Sequence, residues 1–265
     1  MEMENDMNAD VKYVIQLNKK PRQRKKDRVF VVEGPKMYAE LPESLLIKTY
    51  VSDSFAREEK NEKILRKHPF EVVKDSVFEQ MSDTKTPQGI LAVAKQLSYK
   101  TDDLLGGDSG EKPFLLVLDT IQDPGNLGTM MRAGEAAGVT GILMNQETVD
   151  MYNPKVIRST MGALYRMPFV YTDHLADTLK ELKKEGIRLY AAHLKGERAY
   201  DREDYSSACA FLIGNEANGL SREVASLADT YIKIPMRGQV ESLNAAVAAS
   251  VLAFEAARQR RNLTK

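Results

Sequence analysis

The segment Gln122-Asp-Pro-Gly-Asn-Leu-Gly128 follows an apolar run and opens a helix-like pattern that continues to Arg132. Two later segments repeat this arrangement: Ile213-Gly-Asn-Glu-Ala-Asn-Gly-Leu220 and Ile234-Pro-Met-Arg-Gly-Gln-Val-Glu-Ser-Leu-Asn244. Each places glycines and uncharged polar residues where an apolar strand ends. Ligands bind in crevices beyond the carboxyl ends of strands, where backbone can close around them. The three loops therefore predict one pocket built largely from backbone.

Around these loops, strand-like and helix-like patterns alternate through the second half of the chain. The predicted strands are Phe114–Leu118, Gly141–Met144, Pro168–Tyr171, Arg188–Ala192, Ala210–Ile213 and Tyr231–Ile234. The predicted helices are Asn126–Ala137, Pro154–Met161, Leu175–Lys184 and Leu243–Arg260. This alternation predicts an α/β fold with a mostly parallel sheet covered on both faces.

In the first part of the chain, alternating strand-like and helix-like patterns predict a separate, smaller α/β domain. Its apolar β-rich runs are Val29–Val32, Leu46–Val51, Glu71–Val73 and Ile90–Ala94, with helical patterns around 36–41, 54–67 and 76–81. The stretch Ser98–Lys112 is rich in Gly, Asp and Ser and reads as a flexible linker. We therefore expect a domain over 1–97, a linker over 98–112 and a second domain over 113–265. A length of 265 residues suits two domains of roughly 100–150 residues each.

The charge of the chain is balanced, with 38 basic and 38 acidic residues. A formal net charge of zero argues against indiscriminate coating of nucleic acid. Between Asn18 and Arg28, however, there are seven cationic residues and a single acidic residue, Asp27. We call these seven residues the basic cluster: Lys19, Lys20, Arg22, Arg24, Lys25, Lys26 and Arg28.

Several classes of protein are disfavoured by what the sequence lacks. A single cysteine, Cys209, excludes an internal disulfide and a cysteine-based zinc cluster, and three scattered histidines make no convincing metal site. Neither a dinucleotide fingerprint nor a phosphate-binding Walker loop is present. No apolar run approaches the roughly 18 residues of a membrane span, and the acidic first residues do not resemble a signal peptide. We expect a cytoplasmic protein without a metal.

Taken alone, the polar residues of the three loops leave alternatives open. On a helix, Asn126 and Arg132 are separated by about 120° around the axis, so they could flank one ligand, but Arg132 could equally be an ordinary surface charge. Glu216 could cap a helix or pair with an arginine. Ser242 and Asn244 stand where a helix begins, and Ser242 is a candidate N-cap. The last helix is rich in alanine and suits either core packing or a dimer interface.

In this order and spacing, the three segments resemble the signature motifs of the SpoU-type (TrmH-like) 2′-O-ribose RNA methyltransferases of the SPOUT superfamily. The similarity spans roughly Leu115 to Arg258. The first domain, with Phe30-Val-Val-Glu-Gly34 and Thr86-Pro-Gln-Gly89, more loosely resembles the ribosomal-protein-like substrate-binding domain often fused in front. The resemblance implies a deep C-terminal trefoil knot, which topology rules alone would reject.

The resemblance also implies a cofactor, S-adenosylmethionine, and a homodimer packed through the knotted region. By motif position, Gly214, Ile234 and Leu243 line the adenosine, with Asn215 close by. Arg132 is the residue that acts on the ribose 2′-hydroxyl. Because guanidinium keeps its proton in proteins, we expect an electrostatic clamp rather than a base, oriented by Glu216. The remaining catalytic candidates position the ribose and phosphate: Asn126, Ser242 and Asn244.

The expected activity is methylation of a 2′-hydroxyl in structured RNA, with ribosomal RNA favoured over tRNA because tRNA enzymes of this type often lack the front domain. In that context the basic cluster predicts phosphate contacts rather than merely a solvated face. Two alternatives are a non-catalytic RNA-binding or assembly factor and a base-methylating relative. The intact set of Asn126, Arg132, Glu216 and Ser242-Leu-Asn244 argues against the first, because a binding protein has no need of it. The Asn126–Arg132 pair disfavours the second.

Overall fold

The computed structural model describes residues 2–107 and 110–263, and the chain divides into two compact units. The first unit comprises Met1–Leu97 and Asp150–Tyr165, and the second comprises Ser98–Val149 and Arg166–Lys265. The boundary at residue 97 coincides with the expected end of the first domain. The segment Asp150–Tyr165 differs from expectation, because it groups with the first unit although it lies within the range assigned to the second domain.

The first unit contains a four-stranded sheet among the described residues, in the order β1-β4-β2-β3. Strand β4 is antiparallel to β1 and β2, whereas β3 runs parallel to β2. The four strands lie where the sequence predicts them: β1 Val29–Glu33, β2 Leu46–Ser52, β3 Glu71–Val73 and β4 Ile90–Lys95. The helices before residue 98 are α1 Glu2–Lys19, α2 Pro21–Asp27, α3 Pro35–Glu40, α4 Asp53–Arg57, α5 Glu62–Leu65 and α6 Asp75–Met81.

Two helical features of this unit differ from the sequence expectation. The predicted helix over 54–67 is interrupted between α4 and α5, where the Asn61 side chain donates to the Phe55 carbonyl and competes with helix continuation. Helix α1 was not predicted. Its Val11, Val14 and Leu17 are buried against the sheet and α6 in one apolar core, so α1 completes the first unit.

The basic cluster lies on the end of α1, on α2 and at its C-cap, and one member points inward. Arg24 is only 2% exposed: its guanidinium donates to Asp150 at 2.6 and 3.0 Å and to the Leu17 and Asn18 carbonyls. The expectation that Arg24 contacts RNA is therefore corrected, because its hydrogen-bonding groups are already occupied inside the unit. The other members are exposed: Lys19, Lys20, Arg22, Lys25, Lys26 and Arg28.

The segment Asp150–Tyr165 is held in the first unit by aromatic and polar contacts. It contains α8, Pro154–Thr160. The Tyr152 ring packs on Phe30 with a centroid distance of 4.8 Å, and its hydroxyl donates to the Leu97 carbonyl. The Tyr165 hydroxyl donates to the Met37 carbonyl. Together with the Arg24–Asp150 ion pair, these contacts explain why this segment groups with residues far away in the sequence.

The second unit contains a seven-stranded sheet among the described residues, in the order β7-β6-β5-β10-β8-β11-β9. Every pairing between its strands is parallel, which confirms the predicted sheet. The strands are β5 Phe114–Asp119, β6 Gly141–Asn145, β7 Phe169–Thr172, β8 Arg188–Ala192, β9 Arg198–Ala199, β10 Cys209–Gly214 and β11 Thr230–Lys233. The helices are α7 Pro124–Ala137, α9 Leu175–Lys184, α10 Arg222–Ser226 and α11 Ala245–Leu263. Only the short edge strand β9 had no sequence counterpart.

Much of the expected linker is part of the second unit. Thr101–Leu105 forms a 3₁₀ helix, and Leu104 is fully buried in the same core as Leu115 and Leu143. A Cβ atom at Gly141 would lie 2.6 Å from the Leu104 side chain, so the start of β6 and the 3₁₀ helix approach closely. The expectation of a flexible linker is thus corrected for this stretch, because Leu104 supplies apolar core. Asp108 and Ser109 lie outside the described residues.

The α/β fold with an all-parallel sheet is confirmed, while the trefoil knot stays a prediction, since strand order alone does not define how the chain threads. No helix among the described residues is long and apolar enough to cross a membrane.

The buried ion pair of Arg24 gives a test of the first unit. We expect Arg24→Ala to destabilise it by about 3 kcal/mol, because removal of one partner leaves polar groups buried without compensation. Lys25→Ala, a neighbouring change at an exposed cation, shifts stability by no more than about 0.5 kcal/mol. Urea denaturation followed by circular dichroism measures both. Equal effects of the two substitutions contradict the structural role of Arg24.

Candidate active site

The candidate site lies at the carboxyl ends of β5, β10 and β11. Since the sheet is parallel, these ends lie along the same edge, and β5 and β10 are direct neighbours. The loop after β5 leads into α7, the loop after β10 leads into α10, and the loop after β11 leads into α11. These are the three loops that the sequence singled out, and side-chain hydrogen bonds now join them.

Asn126 is the junction between the loops. Asp123 caps α7 by accepting from the Asn126 backbone N–H at 2.8 Å, and Pro124 occupies the first turn, where no backbone donor is needed. The Asn126 side chain is buried. Its Nδ2 donates to Glu216 Oε1 at 2.9 Å, and its Oδ1 accepts from Asn244 Nδ2 at 2.9 Å. One amide thus links all three loops.

Glu216 faces the start of α7. Its carboxylate accepts from the backbone N–H groups of Gln122 and Asp123 at 3.3 and 3.2 Å, in addition to the Asn126 side chain. Burial alone raises the pKa of the Glu216 carboxyl, but these hydrogen bonds outweigh burial and hold the pKa below its ordinary value. The group is therefore an anion at neutral pH and can act only as an acceptor.

Thr120 sits beneath the loops in a backbone conformation that β-branched residues rarely adopt, with φ of 65°. Two asparagines from neighbouring strand ends hold it there: Asn145 Oδ1 accepts from its N–H at 2.9 Å, and Asn215 Nδ2 donates to its carbonyl at 2.8 Å. The buried Asp119 accepts from Asn145 Nδ2 and from the Ser221 N–H, which ties β6 and the second loop to β5.

Sequence reasoning missed Asp119, Thr120 and Asn145 as supports of the site. A signal was available, since Asp119 and Thr120 directly follow the apolar run of β5 and Asn145 ends β6. Polar residues at neighbouring strand ends of a parallel sheet point toward the same edge. Asn215 was assigned to the cofactor region, and its side chain is engaged with Thr120 and with the N–H groups of Ala217 and Asn218.

The second loop folds back tightly on Gly214. Asn215 and Gly219 exchange backbone hydrogen bonds of 3.0 and 2.9 Å, which closes the loop. A Cβ atom at Gly214 would lie 2.1 Å from the Gly219 carbonyl carbon and the Leu220 nitrogen. Only glycine fits here, because the obstructing atoms are backbone and cannot rotate away.

The third loop, Ile234 to Leu243, is irregular, and none of its backbone groups bonds to other backbone within the described ranges. Ile234 and Leu243 are half-buried, so the loop offers apolar contacts beside free backbone donors and acceptors. That combination fits the adenosine part of S-adenosylmethionine, whose ring has an apolar face and a polar edge. Asn244 caps α11, since its Oδ1 accepts from the Ala246 and Val247 N–H groups.

Two expectations about roles are corrected by this geometry. Ser242 is not the N-cap of α11, because Asn244 is, and the Ser242 hydroxyl has no hydrogen bond to the described residues. Glu216 does not orient Arg132, because its carboxylate is engaged by the start of α7 and by Asn126. Arg132 is exposed on α7, six residues and about 9 Å of helix rise beyond Asn126, without an ion pair to any described residue.

The comparisons with known proteins agree with this geometry. The profile of the SpoU rRNA methylase family matches residues 113–254, and that of the MRM3-like substrate binding domain matches residues 8–92. The 23S rRNA (guanosine(2553)-2′-O)-methyltransferase RlmP of Bacillus subtilis is 33% identical over 183 residues, which cover 69% of this chain and 70% of RlmP.

Two solved structures differ instructively in how much of the chain they match. The SpoU methyltransferase AviRb from Streptomyces viridochromogenes, in complex with AdoMet, aligns with a TM-score of 0.84 at 25% identity, over 96% of this chain and 98% of AviRb. The A. aeolicus TrmH/SpoU tRNA modifying enzyme aligns with a TM-score of 0.51 at 26% identity, over 58% of this chain and 78% of its own.

The parallel sheet with its three joined loops, taken with these similarities, identifies an α/β methyltransferase. The chain belongs to the SpoU rRNA methylase family. This confirms the predicted family, its RNA methyltransferase activity and its dependence on S-adenosylmethionine.

The tight turn at Gly214 allows a test of whether the second loop belongs to the cofactor site. We expect Gly214→Ala to weaken S-adenosylmethionine binding at least about tenfold, because the added methyl group forces the second loop away from β10. Isothermal titration calorimetry measures the affinity. Glu185→Ala is the control, since Glu185 is exposed at the end of α9 and lies outside the three loops. Unchanged affinity in Gly214→Ala, with the protein folded, rejects this loop as part of the cofactor site.

Proposed function

We propose that this protein transfers the methyl group of S-adenosylmethionine to a ribose 2′-hydroxyl of ribosomal RNA. The observation that carries the proposal is the Asn244–Asn126–Glu216 chain of side-chain hydrogen bonds, which joins the three loops into one site. A protein that only bound RNA would not need this connection between a helix start, an anionic side chain and an irregular loop.

Ribosomal RNA is favoured over tRNA because of the first unit. The ribosomal RNA enzyme RlmP aligns with 69% of this chain and AviRb with 96% of it, whereas the tRNA modifying enzyme aligns with 58%. The match of residues 8–92 to a substrate binding domain supports the same choice. We assign the first unit to RNA binding and the second unit to methyl transfer.

The cofactor cradle is formed by the second and third loops. Gly214 allows the close turn of the second loop, while Ile234 and Leu243 supply apolar contacts and the third loop supplies free backbone groups. Asn215 supports the cradle from below through Thr120. S-adenosylmethionine supplies a methyl group on a sulfonium, which needs little further activation.

The remaining chemical task is to align the 2′-oxygen and stabilise its developing negative charge. Arg132 is suited to this task because its guanidinium is exposed, permanently charged and free of internal ion pairs with the described residues. As the oxygen–methyl bond forms and the sulfur–methyl bond breaks, the hydroxyl proton leaves to solvent. Asn126, Asn244 and Glu216 hold the loops in register, and Ser242 is free to contact ribose or phosphate.

The macromolecular partners of the protein are RNA and a second copy of itself. The six exposed members of the basic cluster contact RNA phosphates, which makes RNA binding sensitive to salt. The protein forms a homodimer through α11, on which Val247 and Phe254 are 47% and 45% exposed and share one face at helical spacing. A ribosomal RNA substrate places the protein in the cytoplasm.

Methyl transfer to an unmodified large-subunit ribosomal RNA transcript tests the activity. With tritiated S-adenosylmethionine, we expect label in an alkali-resistant dinucleotide, because a 2′-O-methyl group blocks cleavage of its own linkage. Arg132→Ala lowers kcat by about 10²–10³-fold while the affinity for the cofactor stays within twofold. Arg132→Lys, which keeps the charge, retains more activity than Arg132→Ala.

Three outcomes contradict parts of this proposal. Label in a base points to a base methyltransferase, and label only in tRNA rejects the ribosomal substrate. If Arg132→Ala loses cofactor binding and turnover equally, Arg132 does not act specifically on the 2′-oxygen.

Light scattering after size exclusion tests the homodimer. We expect Val247→Glu combined with Phe254→Glu to give a monomer, because the new carboxylates must be desolvated in the interface. Phe70→Glu combined with Val72→Glu is the matched control, since these residues of the first unit are 38% and 44% exposed. A wild-type protein that is monomeric at micromolar concentration rules out the dimer.

A further inference from the structure

The turn after β8 lies beside the proposed cofactor cradle. In the sheet, β8 stands between β10 and β11, so the chain that leaves its carboxyl end lies between the second and third loops. The Gly196 N–H donates to the His193 carbonyl at 2.9 Å and closes the turn, while the His193 N–H donates to the Ile232 carbonyl at 3.0 Å. A Cβ atom at Gly196 would lie 2.7 Å from the Ile232 carbonyl carbon, so the turn packs directly on β11.

Two aromatic rings meet where this turn packs on β11. The centroids of the His193 and Tyr231 rings are 5.3 Å apart, with 73° between the ring planes. The Tyr231 hydroxyl donates to the Ala225 carbonyl at 2.8 Å, and His193 Nδ1 accepts from the Lys195 N–H at 3.1 Å, so both side chains are fixed in orientation. Tyr231 is nevertheless 40% exposed, and Leu194 in the turn is 66% exposed. A fixed apolar surface that stays open to solvent beside a binding site is suited to a planar ligand group.

Two lysines accompany the aromatic rings. Successive side chains of a strand point to opposite faces, so Lys233 lies on the same face of β11 as Tyr231, and both are exposed whereas Ile232 between them is buried. Lys195 is part of the turn itself and is also exposed. Neither lysine side chain has a hydrogen bond or ion pair with the described residues. Both are therefore available to an anionic ligand.

The charge of this surface is positive. Within residues 193–199 and 230–233 the only acidic residue is Glu197, whereas the basic residues are Lys195, Arg198 and Lys233. Arg198 pairs at 2.9 Å with Glu203, whose side chain is only 5% exposed. Two unpaired lysines thus stand against one exposed carboxylate, which favours a ligand that carries phosphates over one that carries basic side chains.

We propose that this surface receives an unpaired nucleotide of the RNA substrate next to the nucleotide that is methylated. The inference rests on the proposed function and adds a substrate subsite to it. The base stacks on the Tyr231 ring beside Leu194, and the two lysines contact the adjoining phosphates. Ile234 of the cradle directly follows Lys233, so an RNA strand whose ribose reaches the cradle passes this surface. Aromatic rings combined with cations are how proteins hold unpaired RNA. We call the five residues the stacking surface: His193, Leu194, Lys195, Tyr231 and Lys233.

A tryptophan reporter tests the stacking surface directly. The protein contains no tryptophan, so Tyr231→Trp places a single indole at this site and retains an aromatic ring. We expect the large-subunit ribosomal RNA transcript, added to the variant saturated with S-adenosylhomocysteine, to remove at least about half of the indole emission, because a stacked base quenches it. S-adenosylhomocysteine alone leaves the emission unchanged, since the stacking surface lies outside the cradle.

Two results of this experiment overturn the inference. Quenching by S-adenosylhomocysteine alone assigns Tyr231 to the cofactor site. Unchanged emission at a transcript concentration at which the same variant transfers methyl groups shows that no base stacks there. A wild-type protein that transfers no methyl to RNA instead defeats the proposed function, on which the stacking surface rests.

Two substitutions of Tyr231 separate stacking from a structural role. Tyr231→Thr keeps a residue suited to a strand but removes the ring, and we expect it to raise KM for the transcript about tenfold. Tyr231→Phe loses only the hydrogen bond to Ala225 and keeps KM within about twofold. The affinity for S-adenosylmethionine, measured by calorimetry, stays the same in both. Equal effects of the two substitutions on KM contradict the assignment.

The salt dependence of RNA binding tests the lysines. With Lys195→Gln and Lys233→Gln combined, we expect the slope of log affinity against log salt to fall by about 1.4, because each lost contact with single-stranded RNA removes roughly 0.7. The matched control combines Lys180→Gln and Lys184→Gln, since these lysines of α9 are exposed and give the same change in net charge. The role of the lysines is refuted if the control lowers the slope as much, or if the test pair leaves it unchanged.

Discussion

The side-chain amide of Asn126 makes the two hydrogen bonds that hold the three loops of the site together. It joins Glu216 and Asn244, which are 90 and 118 residues further along the chain. Only one orientation of the Asn126 amide satisfies both partners. The Glu216 carboxylate can only accept, so the amide nitrogen must face it, and the amide oxygen then accepts from Asn244. An aspartate in this place would set two carboxylates against each other. A single buried amide thus fixes the relative positions of the two cradle loops and the helix that carries Arg132.

The parallel sheet brings the loops close enough for these hydrogen bonds, and it also forces Thr120 into an unfavourable backbone conformation. Because β5 and β10 are parallel neighbours, the loops after them leave the same edge within hydrogen-bonding reach. Thr120 adopts a left-handed backbone at that edge, a conformation that costs on the order of 1–2 kcal/mol for a residue with a Cβ atom. The amide groups of Asn145 and Asn215 offset this strain. Asn145 and Asn215 thus stabilise the site through the backbone of Thr120, without any need to contact substrate.

In the first unit, the same side-chain chemistry serves two purposes that differ only in burial. Arg24 is enclosed, and its guanidinium joins α1 to Asp150. Lys25 and Lys26, directly adjacent, point to solvent and remain available to phosphates. In α8 likewise, Arg158 pairs with Asp83, whereas Lys155, one turn earlier, is exposed. Arginine forms several directed bonds and suits the internal role, whereas exposed lysine acts as a mobile point charge.

Nearly all strands, the three loops and the family could be predicted from the amino-acid sequence, because apolar runs, turn residues and motif spacing are local properties. The partners of the polar side chains could not, because they depend on the folded chain. Arg24 pairs with a residue 126 positions away, Leu104 turns an expected linker into core, Asn244 rather than Ser242 caps α11, and Glu216 meets Asn126 rather than Arg132. A local pattern shows that a charge or amide is present, but its partner depends on which distant segments the sheet brings together.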